Sequence, residues 1–381
     1  MANRASTRDA RIELLRLVAA AGIAVFHTFM PWFEEMTSIV GSGGYIVDNP
    51  VTCTALGFFN QLGSFGNNVF FMVSGLFLIP ACARASRETG YWGLQVRRTA
   101  RRAGGLLASL ALYTAACLVL SETVLPVEGL SLAEFPAFLA WVEFMWVYLL
   151  FIAIVPVIGW VWGRIRRPWV LVLALLVVVF CVNGYIAFLD RGDIDRDLLD
   201  WRKLMSAATY FAAFLAGGAL SRVRLPRRRA GALLAVSISA TVAVEACLAC
   251  AREMDLMYAT SFKSTSLLAF AMAVAAVLFA RSVPGQAGAA GATPGKTEPA
   301  SAIACRLAQG VLGFYIVQAL TMPAWSPWFH ELLTAVYETP GNTSYQLIAV
   351  GILMSLALLL CLLVLDQTVR APLFRKLGLT K

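Results

Sequence analysis

Ten apolar runs, each near the length that crosses a lipid bilayer, alternate along this chain with short polar loops. They lie at residues 17–33, 57–81, 103–121, 137–161, 169–189, 205–220, 231–250, 264–281, 307–325 and 346–368, the sixth being the shortest. A helix rising 1.5 Å per residue needs about 20 such residues to cross a hydrocarbon core about 30 Å thick. No water is available there to bond a loose N–H or C=O, so only helices and closed barrels can span. Runs this long exceed what a spanning strand needs and fit helices. The fold class expected is therefore an all-α polytopic membrane protein of about ten transmembrane helices. Composition agrees: 59% of the 381 residues are hydrophobic and 14% charged, against about 25% charged in soluble domains.

The first run follows arginines, as a signal peptide would, but it closes on Pro31, Trp32, Phe33, Glu34 and Glu35 with no small-x-small cleavage site. It reads as a retained helix. The loops then alternate in charge. One set of loops holds all but six of the 31 Lys and Arg; the six are Arg191, Arg196, Arg202, Lys203, Arg252 and Lys263. The opposite set is acidic, with Glu34, Glu35, Asp48, Glu122, Glu128, Glu134 and five aspartates from Asp190 to Asp200. The positive-inside rule assigns the basic set to the cytoplasm. Both termini are then cytoplasmic, in a multi-pass protein of the plasma membrane. Because the net charge of +9 is spread over these loops, it gives no single basic face for nucleic acid.

No separate soluble module is visible, so residues 1–381 read as a single membrane domain. Residues 282–306, rich in Gly, Ala, Pro and Thr, read as a flexible cytoplasmic linker inside it. Cysteines fall mostly in the apolar runs, where they behave as small hydrophobes; Cys53 reads as an outer-loop residue. Cys247 and Cys250 form a C-x-x-C in an apolar helix, which is not a redox context. Asp193, Asp195 and Asp197 alternate like calcium ligands, but Leu198 and Leu204 stand where an EF-hand needs its Gly and Glu, so no metal is expected. Asn342-Thr343-Ser344 is a glycosylation sequon.

Chemistry is concentrated in a few polar residues. Of the two histidines, His330 reads as loop, whereas His27 lies inside the first run. An ionisable side chain in hydrocarbon is a candidate functional site. The ordinary alternative is a histidine bonded to a neighbouring helix. Arg16 lies eleven residues earlier, on the same helix face and ~16 Å away along the axis. Glu13 is placed to pair with it. Before the third run, Arg98 and Arg101 are three apart, so both guanidinium forks leave one side of a helix start and can grip a polyphosphate. Topological anchoring explains the same arginines. Ser74-Gly75, mid-run, fits close helix packing. Glu143 and Glu245 are acids within apolar runs, each a partner for a basic group or a proton site.

Five segments in order resemble the membrane-bound acyltransferase-3 family. They are RIELLRLVAAAGIAVFH with its basic residue, ten others and a histidine; GNNVFFMVSGLFL; RRTARR, like the family's R-x-x-R; EFMWVYLLFIAIVP, with Trp146; and GVLGFYIVQALTM, with Tyr315. The resemblance covers residues 11 to about 375. It implies an O-acyltransferase that moves an acyl group, usually from cytoplasmic acetyl-CoA, to a hydroxyl of a cell-surface or lipid-linked glycan. It implies His27 as the catalytic histidine, with Glu13 at the family's acidic position, and Arg16, Arg98 and Arg101 on the CoA phosphates. Ser74, Trp146, Tyr315 and Gln318 would support them. Gln318 departs from the pattern: many members carry a second histidine there, and a glutamine can bond an acyl carbonyl but cannot shuttle protons. A neutral imidazole at His27 would act as general base or form a transient acyl-imidazole. The sequence leaves open a succinyl or longer donor, the acceptor's identity and the oligomeric state. The competing reading is a transporter or flippase for a glycan or lipid intermediate; against it, no repeated halves are found.

Overall fold

The computed structural model describes residues 9–38, 48–127, 130–134, 142–189, 201–261, 263–283, 299–339 and 343–378. The described chain is helical throughout. Eight helices are long and apolar enough to cross a membrane, and two shorter apolar ones, Leu204–Leu220 and Leu267–Ala280, complete the set. Each of the ten apolar runs overlaps one of these, residues 137–141 of the fourth lying outside the described residues. In chain order the helices are α1 Ala10–Thr37, α2 Pro50–Ala85, α3 Tyr91–Thr123, α4 Glu143–Trp162, α5 Pro168–Gly184, α6 Trp201–Leu220, α7 Arg227–Ala251, a short α8 Met254–Thr260, α9 Leu267–Ala280, α10 Pro299–Leu307, α11 Val311–Glu338, α12 Ser344–Thr368 and α13 Arg370–Lys376.

Local chemistry sets the ends. Asp9 caps α1 by accepting from Arg11 N at 3.1 Å. Asn49 caps α2 ahead of Pro50 at the first helical position, where a missing N–H costs nothing. Thr343 and Gln346 form a capping box at α12. The chain turns into α3 through Gly90 at φ 75°, a left-handed conformation that suits glycine.

α2 is the hub. It packs on α1, α4, α6, α7 and α9, while α1 also meets α11 and α12. Lipid-facing helices gain nothing from hydrophobicity alone, so close approach through small residues carries the packing. A Cβ on Gly75 would come within 2.7 Å of the Phe214 carbonyl carbon, and one on Gly217 within 2.7 Å of that of Met72. This is the close α2–α6 crossing expected at Ser74-Gly75.

Several expectations are corrected. Cys53 is not in a loop: the Asn49 cap starts α2 early, and Cys53 is buried in its first turn. All eight cysteines are free thiols. His330 is helical, because α11 continues through Pro323 and Pro327 to Glu338, and its ring packs 5.5 Å from Trp32. Of the linker proposed at 282–306, residues 299–306 belong to α10, while 284–298, like Asp193, Asp195, Asp197 and Asn342, lie outside the described residues. The eighth run starts its helix only at Leu267; its fourteen residues rise ~21 Å, too little to span alone. The buried stretch before it is irregular, which is tolerated at membrane depth only where protein satisfies the backbone. Here Ser266 caps α9 and donates to Gln61 Oε1 at 2.6 Å, and Asn60 donates to the Ser261 carbonyl at 2.9 Å.

Candidate functional site

α1 carries the central line of the site. Its 3.6-residue repeat places Ile12, Arg16, Ile23 and His27 along one side. The expected pair forms, with Arg16 Nη1 2.9 Å from Glu13 Oε2. Both residues line a cavity of about 480 Å³ at the arginine-rich end of the bundle. Arg101 and Arg102 reach it from α3, Ser74 from α2, and Arg370 from α13. Four guanidinium groups line this cavity, Arg16 paired with Glu13 and Arg370 with Asp366, a chemistry suited to a phosphate-bearing ligand.

By sequence Arg370 is one of the cations of the basic loops. In the structure it is buried and held by both carboxylate oxygens of Asp366, Nε to Oδ1 at 2.6 Å and Nη2 to Oδ2 at 2.7 Å. The Tyr113 hydroxyl donates to the same Oδ1 at 2.8 Å. A bidentate pair of this kind fixes the plane of the guanidinium. The sequence signal was the Asp-x-x-x-Arg spacing at the end of an apolar run. Arg98 is not among the residues lining the cavity; Arg102, its neighbour one turn on, is. Positions 98, 101 and 102 share one side of α3, so the difference is one of height: Arg98 stands a turn nearer the helix start, beyond the cavity.

His27 lies further along α1, in a separate pocket of about 120 Å³. Asn67 of α2, Phe144 and Met145 of α4, and Tyr315 and Gln318 of α11 surround it. Two helices must approach closely to form this pocket. A Cβ on Gly63 would stand 2.6 Å from the Phe26 ring, and one on Gly66 2.6 Å from the Ala19 carbonyl. Glycine at both positions lets α2 lie against α1 beside His27. His27 Nδ1, Tyr315 Oη and Gln318 Nε2 are buried with no hydrogen-bond partner. Buried polar atoms without a partner are costly, and three of them gather in this one small pocket. Asn67, which the sequence reading passed over, donates to the Tyr210 hydroxyl at 3.0 Å, and Tyr210 in turn hydrogen-bonds Ser264.

A layer of rings separates the two spaces. Phe70 lines the arginine cavity, and Phe144 and Tyr315 line the His27 pocket. Phe70 lies 5.2 Å from Tyr315 and 5.1 Å from Phe144, and Phe144 stacks on Tyr315 at 4.9 Å with the planes 3° apart. A ligand with a long flexible arm could occupy both spaces only by threading past Phe70.

The other sequence candidates fall outside this arrangement. Trp146 is 38% exposed and lines neither space. Glu245, buried in α7, finds an amide rather than a cation: Gln61 Nε2 donates to its Oε1 at 2.8 Å. Glu143 opens α4 next to the His27 pocket, near enough for its charge to act on Tyr210.

Comparison with known proteins gives one result that spans the chain. A family model described as an acyltransferase domain, Acyl_transf_3, matches residues 9–366. No curated protein and no solved structure matches.

Proposed function

The chain belongs to the acyltransferase-3 family, and from that premise we propose that this multi-pass membrane acyltransferase is an O-acyltransferase of glycans. The donor is acyl-CoA, acetyl-CoA first among them, presented from the cytoplasm. The acceptor is a hydroxyl of a cell-surface or lipid-linked saccharide. On this reading the protein sits in the plasma membrane with its arginine-rich end and both termini in the cytoplasm, an orientation that the charge bias of its loops supports.

One observation carries the reading. A pocket holding His27, Tyr315 and Gln318, with a buried unpartnered polar atom on each, lies one aromatic layer from a cavity lined by Arg16, Arg101, Arg102 and Arg370. CoA has that shape: a highly charged nucleotide end, then a long slim arm ending in a thioester. The arginines take the phosphates. Arg16 is oriented by Glu13 and Arg370 by Asp366 and Tyr113. The arm threads past Phe70 and brings the thioester carbonyl to His27.

There the neutral imidazole accepts the proton of the acceptor hydroxyl as its oxygen attacks the carbonyl carbon. The C–O bond forms and the carbonyl electrons move onto oxygen. Gln318 Nε2–H and Tyr315 O–H are the donors placed to hold that oxyanion. As the carbonyl re-forms, the C–S bond breaks and the proton passes from imidazolium to the thiolate, leaving ester and free CoA thiol. On this path Gln318 has no proton to shuttle, so a glutamine serves where many relatives have a histidine. The rings of Phe70, Phe144 and Tyr315 keep bulk water from the thioester, which limits hydrolysis.

The test is release of CoA thiol from acetyl-CoA by the purified protein, with and without a crude cell-envelope glycan fraction, for wild type and His27→Ala. Release that needs both the glycan and His27 is expected. Equal release by His27→Ala would remove the mechanism. No release with any short acyl-CoA from folded protein would remove the donor.

A further inference from the structure

The face of α1 opposite Arg16 and His27 borders a third space that the acyl-transfer reading does not use. At 3.6 residues per turn, Arg11, Leu14, Leu15 and Val18 share that face. They line a groove of about 400 Å³ with Phe58, Leu62 and Phe65 of α2, Leu234 and Ile238 of α7, and Met272 and Ala276 of α9. α1 and α7 have no extended packing on each other; the gap between them is floored by α2 and α9. The groove opens sideways, since Leu14 is 53% and Val18 50% exposed on the bundle's outer surface. In a membrane that surface faces lipid.

Its two ends differ in chemistry. From Ile238 to Arg227 the wall is eleven residues of α7, ~16 Å along the axis, about the depth of one leaflet of a ~30 Å core. The deep end is wholly apolar. The other end, level with the basic rim of the bundle, carries Arg11, Arg227 and Ser282. Arg11 Nη1 donates to the Ser282 carbonyl at 2.9 Å, and Arg227 stands with its guanidinium carbon 5.6 Å from the centre of the Phe279 ring. Both guanidinium groups are therefore drawn to the mouth. No carboxylate lines the groove. Asp9, the nearest acid on α1, accepts from the Arg11 backbone N–H and bears on Arg281. Arg228 and Arg229 follow on the exposed first turn of α7. An apolar slot one leaflet deep, open to the bilayer and closed at the interface by two arginines, matches a lipid tail beneath an anionic headgroup.

We propose that this groove binds an anionic phospholipid of the leaflet at the basic end, one acyl chain lying along Leu15, Leu62 and Leu234 and its phosphate held by Arg11 and Arg227. The lipid fills the gap that the helices leave and braces the half of α1 that carries Glu13 and Arg16 on its other side. Nothing in this depends on the reaction proposed above.

Native mass spectrometry of the protein reconstituted in nanodiscs of mixed phosphatidylglycerol and phosphatidylcholine tests it. Wild type should retain phosphatidylglycerol preferentially. Arg11→Ala with Arg227→Ala should lower that preference about thirty-fold, taking roughly 1 kcal/mol for each arginine near an anionic surface; Arg11→Lys with Arg227→Lys should keep most of it. Leu234→Trp, which fills the slot and spares the arginines, should lower retention of both lipids and serves if the double alanine variant fails to fold. Equal retention of the two lipids by wild type, an undiminished preference in the double alanine variant, or retention of an isoprenoid phosphate from native membranes in place of phospholipid would each overturn the proposal.

Discussion

Gly313→Ala puts the smallest side chain where the structure has no room for one. A Cβ there would lie 2.7 Å from Asp366 Cβ and closer still to the carboxyl group itself. Asp366 cannot simply swing aside, because its Oδ1 accepts from Tyr113 and Arg370 and its Oδ2 from Arg370. Asp366 is 1% exposed, so water does not replace the bonds its carboxylate would lose. Breaking a buried pair of this kind costs about 3–5 kcal/mol. Alanine in place of glycine inside α11 returns about 1 kcal/mol of helix propensity, leaving a net loss of about 2–4 kcal/mol. Denaturant unfolding in detergent micelles measures it, and CoA titration should show weaker binding as Arg370 leaves the cavity wall. A double-mutant cycle isolates the cause. In an Asp366→Gly background the atoms that a Gly313 Cβ would meet are gone, and Gly313→Ala should be neutral or stabilising by up to about 1 kcal/mol. The reasoning is refuted if Gly313→Ala is equally harmful in both backgrounds.

Three further outcomes are expected. Arg101→Ala and Arg102→Ala should each raise the CoA dissociation constant about ten- to a hundredfold, the loss of one charge-assisted contact, while Arg98→Ala changes it less than about threefold; titration of the three variants ranks them, and a larger effect at Arg98 would contradict the geometry. Gln318→Leu should lower kcat by about 10²–10³ with unchanged CoA affinity, as removal of one oxyanion donor does; a loss confined to CoA binding would place Gln318 elsewhere in the reaction. A topology reporter fused after Lys381 should be active on the cytoplasmic side only, and an outward signal would break the ten-helix alternation.

The positions of the helices were legible because hydrocarbon allows few alternatives. Length and apolarity alone located all ten, and Arg16 found Glu13 because three residues separate them on one helix. His27 stood out as the lone intramembrane histidine, and its pocket is the smaller of the two spaces in the site. What misled was local continuity. His330 lies beyond the end of the ninth apolar run at residue 325, yet the helix continues through Pro323 and Pro327 to Glu338. Leu267 begins α9 late because Ser266, Gln61 and Asn60 satisfy an irregular stretch that a hydropathy window cannot distinguish from helix.

The sequence by itself determined the class of fold, the registers of its helices and the candidate residues carried on α1, since these follow from hydropathy and from spacing within one helix. The tertiary structure alone decided which guanidinium groups share a cavity. Arg102 and Arg370 line it and Arg98 does not, and Asp366 and Tyr113 hold Arg370 in place, because that choice depends on how α3 and α13 are set along the bundle against α1 and α2. It also decided that Phe70, Phe144 and Tyr315 stand between the arginines and His27. Those three rings come from three helices, α2, α4 and α11, and no spacing along the chain encodes their meeting.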